Sequence, residues 1–132
     1  MKHIQLLSTE CLTLEYNAVD DFLISHWKGE LSTQDIKQGY ESIILHLKKN
    51  FCHKLLDDHK DVRGLWADLA DWVAHDWYPR AKAAGLEYHA CIFSTSTFSR
   101  LSTEKAIEMM KETGIAQGFE DEMAAENWLK SL

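Results

Sequence analysis

The chain has little of the material from which linkers, disulfide frameworks and zinc ribbons are built. Its 132 residues include one proline, six glycines and three cysteines. The cysteines are odd in number and never form a Cys-x-x-Cys pair, which argues against a disulfide framework and against a zinc ribbon. No Pro/Gly-rich segment divides the sequence. We therefore expect one domain over residues 1–132, located in a reducing cytoplasm.

Two further absences exclude classes of function. No apolar run approaches the roughly 18 residues that a membrane span requires, so we expect no membrane insertion. The formal charge is −7, with 14 Lys and Arg against 21 Asp and Glu, and the basic residues form no stripe. Such a chain repels a phosphate backbone, so nucleic acid is not an expected partner.

Hydroxyl side chains are also missing from the middle of the chain, because residues 43–93 contain no Ser and no Thr. This stretch holds a short apolar strand at residues 53–56, an acidic junction and a tryptophan-rich helix. Ligands and switches in α/β domains usually lie where a strand ends and a helix begins. The junction therefore offers no hydroxyl nucleophile and no Ser/Thr phosphorylation site.

The hydrophobic pattern predicts alternating strands and helices. Strands are expected at residues 12–16, 22–27, 53–56, 88–93 and 115–119. Helices are expected at residues 33–49 and 65–84, between a cap at Ser102 and a stop at Gly114, and at residues 122–132. Ser32 and Asp35 have the spacing of a capping box before the first helix. The order predicts a mixed α/β sheet of about five strands, with an N-terminal antiparallel hairpin, about four helices and parallel later strands.

Short motifs lie at the predicted element boundaries over nearly the full chain. They are WKGELS at residues 27–32, LLD at 55–57, WYPR at 77–80, FSRLS at 98–102 and AENWL at 125–129. Together they resemble the small STAS-type, SpoIIAA-like domains of bacteria, in particular a stand-alone group of uncharacterised function. The resemblance implies that fold. Each of these motifs is a packing or turn motif, and none is catalytic.

The same resemblance raises the question of a phosphorylation switch. Anti-sigma-factor antagonists of this fold are similar in layout and are phosphorylated on a Ser or Thr that follows an Asp at the start of the second helix. The corresponding stretch here, residues 57–66, contains no hydroxyl. If the protein regulates a partner, a signal other than this phosphorylation must set it.

The second predicted helix carries an unusual acidic residue. A projection of residues 65–84 at 100° per residue places Trp66, Trp72 and Trp77 on one apolar stripe, and Asp76 falls within that stripe. An unpaired carboxylate there would have a raised pKa. Arg80 follows one turn later and can pair with it. Two interpretations stay open: a structural ion pair, or a ligand-facing carboxylate in an aromatic pocket.

The acidic junction begins with Asp57, Asp58 and His59. These residue types suggest coordination of a hard cation or, with His59 as a base, hydrolytic chemistry. The order is not that of a calcium loop and no nucleophile accompanies the histidine, so a solvated loop is the simpler interpretation. Cys91 is expected to point into the sheet as a small apolar residue. We therefore predict no catalytic residue, no metal site and no cofactor.

Two classes of function remain open. The first is a non-enzymatic regulatory or protein-interaction domain, whose partner is another protein or a second copy of the chain in a homodimer. The second is a protein that binds an apolar or lipid-like small molecule, or a modest hydrolase, with Asp76 in an aromatic pocket. The residues expected to form the ligand or partner surface are Asp57, Asp58, His59, Trp66, Trp72, Asp76, Trp77 and Arg80.

Overall fold

Six strands form one mixed sheet in a computed structural model, which describes residues 3–64, 66–111 and 116–132. The strands are β1 (His3–Ser8), β2 (Leu12–Asn17), β3 (Phe22–Glu30), β4 (Lys54–Arg63), β5 (Tyr88–Ile92) and β6 (Ala116–Phe119), and they lie side by side in this order. Strands β1 to β3 pair antiparallel, and β3 to β6 pair parallel. The predicted mixed α/β class and N-terminal hairpin are confirmed. The sixth strand is β1, which the sequence pattern did not predict.

Four helical segments accompany the sheet within the described ranges. They are α1 (Thr33–Lys49), α2 (residues 67–83), α3 (Thr97–Met110) and α4 (Glu122–Lys130). Helix α1 begins with the predicted capping box, because the Asp35 backbone N–H donates to Ser32 Oγ and the Ser32 N–H donates to the Asp35 carboxylate, both at 3.0 Å. These two bonds satisfy free donors at the start of the helix. None of the helices in the described part of the chain is long and apolar enough to cross a membrane.

Helix α2 changes its winding along its length. It is a 3₁₀-helix at Ala67–Leu69, an α-helix at Ala70–Trp72, a π-helix at Val73–Trp77 and an α-helix again at Tyr78–Ala83. The buried residues nevertheless recur at helical spacing and form a stripe that does not include Asp76: Ala70, Val73, Ala74, Trp77, Tyr78 and Ala81. Asp76 is therefore exposed, and its predicted place within the apolar stripe was wrong. The predicted first residue of this helix, Leu65, lies outside the described residues.

Helix α3 begins earlier than the sequence predicted. The predicted cap, Ser102, is buried within the helix. Its hydroxyl accepts a 2.9 Å hydrogen bond from the backbone N–H of Trp66 and donates at 3.2 Å to the Phe98 carbonyl. Ser102 thus joins α3 to the segment before α2 and does not cap a helix. The predicted stop at Gly114 and the predicted strand start at Ile115 lie outside the described residues.

Helices cover both faces of the sheet. One face packs against α1, α2 and α3 in the larger core, and the other packs against α4 in a smaller one. Successive residues of a strand point to opposite faces. In β4 this alternation directs Leu55 and Asp57 toward the larger core, and Leu56 and Asp58 toward the α4 side. The alternation therefore decides which polar side chains meet inside the protein.

Candidate functional site

Strand β4 extends further than the sequence predicted and includes the residues that were expected in a solvated loop. Asp57, Asp58 and His59 all belong to this strand and are only 0%, 4% and 2% exposed. The loop prediction was wrong because both carboxylates find partners inside the protein. Hydrogen-bonded partners offset the cost of removing a carboxylate from water.

Asp57 accepts hydrogen bonds on both of its carboxylate oxygens. Oδ1 accepts from the Ser25 hydroxyl at 2.7 Å and from the Trp27 indole Nε1–H at 2.8 Å. Oδ2 accepts from the Tyr40 hydroxyl at 2.8 Å and faces His89 Nε2 at 2.9 Å. Donors from β3, α1 and β5 therefore converge on one carboxylate at the centre of the sheet.

His59 is a further neighbour of this carboxylate. Its Nε2 lies 3.3 Å from Asp57 Oδ1 and 3.3 Å from the Tyr40 oxygen. Burial alone would raise the pKa of Asp57, but the charge and hydrogen bond of His59 and the hydrogen bond of His89 hold the pKa well below its ordinary value. Asp57 is therefore a buried anion, stabilised by its neighbours.

The Thr103 hydroxyl extends the cluster to an arrangement that resembles a hydrolytic triad. Thr103 Oγ1 lies 3.3 Å from His59 Nδ1, and the sequence Thr103, His59, Asp57 follows the nucleophile, base and acid of a hydrolytic triad. Thr103 and His59 are each 2% exposed, however, and the Thr103 hydroxyl is also within 3.3 Å of the Ser99 carbonyl. A substrate has no access to this oxygen in the folded protein, so the arrangement serves the core.

Asp58 has its own partner on the opposite face of the sheet. His26 Nδ1 lies 3.0 Å from Asp58 Oδ2, and the Lys60 backbone N–H donates to Oδ1 at 2.9 Å. The hydrogen bond with Asp58 raises the pKa of His26, against the opposing effect of burial. Burial alone would raise the pKa of Asp58, but His26 and the Lys60 N–H lower it overall. Asp58 is therefore buried and paired with His26, and it is not the solvated carboxylate that the sequence predicted.

Two residues of β5 face the same way as Asp57 and were not predicted as part of a site. Cys91 is the register partner of Asp57, and His89 Nε2 lies 3.4 Å from Cys91 Sγ. One ligand atom from each of the three lies within 4.8 Å of the others. Burial, and then the charge of Asp57, raise the pKa of the Cys91 thiol well above its ordinary value. The His-x-Cys spacing on a strand was the available signal, because it places both side chains on one face.

A groove of about 860 Å³ lies between the turn that joins β1 to β2, helix α1 and helix α2. Its apolar lining consists of Leu7, Cys11, Leu12, Gly39 and Trp72. Its polar lining consists of Thr9, Glu10, Asp35, Lys37, Gln38, Glu41, Ser42, Asp76 and Arg80. The groove is open to solvent, in contrast to the buried cluster around Asp57.

The structure divides the predicted site residues between these two places. Trp72, Asp76 and Arg80 line the groove. The remaining five are buried: Asp57, Asp58, His59, Trp66 and Trp77. For those five, the prediction of an accessible partner surface was wrong, because the strand and the aromatic core enclose them. Binding by the three groove residues stays a prediction.

Two cations lie close to the aromatic wall of the groove. Lys37 Nζ lies 5.5 Å from the centroid of the half-buried Trp72 ring, and Arg80 Cζ lies 6.0 Å from it. Arg80 also donates at 2.8 Å to Asp76 and at 2.8 Å to Glu41. The ion pair of Asp76 with Arg80, one of the two interpretations of the sequence, is thus present. The Asp76 side chain is 56% exposed and has no aromatic enclosure of the kind that the other interpretation required.

Comparisons with known proteins give no match from which a function could be inferred. No family model matches the chain, and no curated protein and no solved structure matches it. Function is therefore inferred from the groove, the buried cluster and their charges.

Proposed function

We propose that the protein is a non-enzymatic interaction domain that binds a segment of a partner protein in the groove beside Trp72. The observation that carries this proposal is the half-buried Trp72 ring on the wall of a groove of about 860 Å³. Tryptophan is among the side chains that most often dominate the binding energy of an interface. Lys37 and Arg80 lie close enough to the ring for cation–π contact, and such contact would favour its present orientation and lower the entropy cost of ordering it on binding.

The charges of the groove favour a basic partner segment. Four carboxylates line it, against the two cations Lys37 and Arg80. Arg80 already pairs with two of these carboxylates. The other two, Glu10 and Asp35, have no basic partner among the residues that the structure describes. A segment with an apolar side chain next to Lys or Arg would complement both the ring and the unpaired acids.

The buried cluster supports the non-enzymatic part of the proposal. The residue types with catalytic potential, Asp57, His59 and Thr103, bind one another in the core and are at most 2% exposed. We further propose a STAS-type relationship for this cytoplasmic domain. The motifs of the sequence support it, together with the antiparallel hairpin that precedes the parallel strands. In this account, contact in the groove takes the role that phosphorylation has in the antagonists of that fold.

Peptide selection tests the proposal directly. A library of random 12-residue peptides is selected on the full chain, and the binding of enriched peptides is measured by fluorescence anisotropy. We expect enriched sequences with an apolar residue beside Lys or Arg, and at least tenfold weaker binding to Trp72→Ala. The matched control is Trp128→Ala, which removes another half-buried tryptophan, located on α4. Enrichment of acidic peptides, or equal binding to both variants, would contradict the proposal.

A small molecule is the second candidate occupant, because the volume of the groove lies within the range of small-molecule sites. Native mass spectrometry of the purified chain distinguishes the two. If a small molecule stays bound to Trp128→Ala and is lost from Trp72→Ala, the occupant of the groove is an apolar or lipid-like ligand and not a peptide segment. A dimer that Trp72→Ala dissociates would make the occupant a second copy of the chain.

A further inference from the structure

We infer that Asp57, His89 and Cys91 form a binding site for one divalent transition-metal ion of the zinc class. The site is separate from the groove and independent of the function proposed for it. Its donors are a carboxylate oxygen, an imidazole nitrogen and a sulfur, which are the three atom types that zinc and its relatives bind in proteins.

The distances between the ligand atoms fit a tetrahedral ion. His89 Nε2 lies 2.9 Å from Asp57 Oδ2 and 3.4 Å from Cys91 Sγ, and one ligand atom from each of the three residues lies within 4.8 Å of the others. Bonds of about 2.0–2.3 Å to a tetrahedral zinc ion place its ligands roughly 3.3–3.8 Å apart. The 4.8 Å limit exceeds the tetrahedral spacing by about 1 Å, so the side chains would have to close on the ion as it binds.

The sheet itself positions these ligands. Asp57 and Cys91 are register partners on the neighbouring parallel strands β4 and β5, and His89 precedes Cys91 by two residues on the same face. All three are at most 3% exposed. Ligands on two adjacent interior strands keep their spacing better than ligands on loops.

Asp57 has the supporting hydrogen bonds of a metal ligand. Ser25 and Trp27 donate to its Oδ1, which directs Oδ2 toward His89. Such outer hydrogen bonds orient ligating carboxylates in metalloproteins. The Tyr40 hydroxyl, 2.8 Å from Oδ2, or a water molecule supplies the fourth ligand.

Charge and proton balance are consistent with this ion. The Asp57 carboxylate and the Cys91 thiolate together supply the two negative charges that balance a divalent cation. Cys91 releases its proton to solvent as the sulfur binds. His89 would bind the ion through Nε2, and its other ring nitrogen, Nδ1, has no hydrogen-bond partner among the described residues.

The cluster is sealed, so the ion enters while the chain folds, and the test uses refolding. The full chain is unfolded in reducing denaturant and refolded with Co²⁺ alone as the probe. We expect one Co²⁺ per chain, visible absorption of a tetrahedral ion and a near-ultraviolet thiolate-to-cobalt band. Cys91→Ser should lose the thiolate band. The matched control, Cys11→Ser, removes the half-buried thiol that lines the groove and should keep it.

A second measurement on the unaltered chain covers the case in which Cys91→Ser does not fold. X-ray absorption of the zinc-refolded protein should show one sulfur at about 2.3 Å and nitrogen or oxygen neighbours at about 2.0 Å. The inference is overturned if the refolded chain binds no Co²⁺, if the zinc spectrum contains no sulfur, or if the thiolate band survives in Cys91→Ser and disappears in Cys11→Ser.

Discussion

Tyr40 joins α1 to the centre of the sheet, because its hydroxyl donates a 2.8 Å hydrogen bond to the carboxylate of Asp57. The backbone carbonyl of the same tyrosine accepts a 2.7 Å hydrogen bond from the indole of Trp77 on α2. The two bonds connect α2, α1 and β4 in series. Helices α1 and α2, which line the groove, are therefore connected by hydrogen bonds to the buried carboxylate.

The buried carboxylate should be indispensable to stability. Asp57→Asn replaces an acceptor oxygen by an amide that faces donors, and it removes the charge that His59 and His89 stabilise. We expect a loss of about 3–5 kcal/mol in the free energy of unfolding, as for other broken buried pairs. Urea denaturation measures it. The exposed Asp76→Asn is the control and should cost about 1 kcal/mol or less. Equal losses for the two variants would contradict this account of the cluster.

Two tryptophans of α2 should differ in their effect on stability. Trp77 is 0% exposed and donates to Tyr40, so Trp77→Ala should cost about 3–5 kcal/mol. Trp72 is half-buried on the groove wall, so Trp72→Ala should cost roughly half as much or less and leave the chain folded. Thermal denaturation of both variants checks the contrast. A larger loss for Trp72→Ala would place that ring in the core, as the uniform helix projection did.

The pair of His26 with Asp58 should make stability depend on pH. The raised pKa of His26 adds stability that is complete below the ordinary histidine pKa of 6.5 and is lost as the pH rises through the raised value. The lowered pKa of Asp58 adds stability above its ordinary value of 3.8, which is lost as the pH falls through the lowered value. The stability difference between wild type and His26→Gln should therefore be largest between about pH 4 and 6.5. Urea midpoints from pH 3 to pH 9 measure it, and a difference that does not change with pH would contradict the pairing.

Gly39 should be required for the packing beneath the groove. A Cβ atom at this position would lie 2.2 Å from Cη2 and 2.6 Å from Cζ3 of Trp27, so the ring would have to move. The same ring donates to Asp57. We expect Gly39→Ala to destabilise the fold by about 1–3 kcal/mol, despite the better helix propensity of alanine. Gln38→Ala, at the exposed neighbouring position, should be within about 0.5 kcal/mol of wild type in the same urea titration.

Local signals in the sequence predicted the elements that depend on local chemistry. The capping box of Ser32 and Asp35 placed the start of α1, and the apolar runs with their breaks gave the order of the later strands and helices. The projection of residues 65–84 gave most weight to the tryptophans, whereas the buried face of α2 also contains the small residues Ala70, Ala74 and Ala81, which carry little hydrophobic signal. Asp76 was therefore placed on the wrong side, although its pairing with Arg80 was foreseen as one of two interpretations.

The buried cluster depends on contacts that are distant along the chain. The partners of Asp57 come from β3, α1 and β5, and only the strand register brings Ser25, Tyr40 and His89 to one carboxylate. The sequence after residue 56 is rich in acidic residues, and without knowledge of these distant partners it is typical of a solvated loop. A register model that paired β4 with β5 would have placed Asp57 opposite Cys91 and revealed the cluster.

Fluorine NMR tests the central claim, that the groove beside Trp72 binds the partner segment and the Asp57 cluster does not. The chain is labelled with 5-fluorotryptophan, which gives one signal for each of its five tryptophans, and the signals are assigned with single Trp→Phe variants. A selected peptide with apolar and basic residues is then titrated. The account predicts that the Trp72 signal shifts while the signals of the enclosed Trp27 and Trp77 stay within a small fraction of that change. A Trp72 signal that stays in place while peptide binds, or a dominant shift at Trp27 or Trp77, would contradict it.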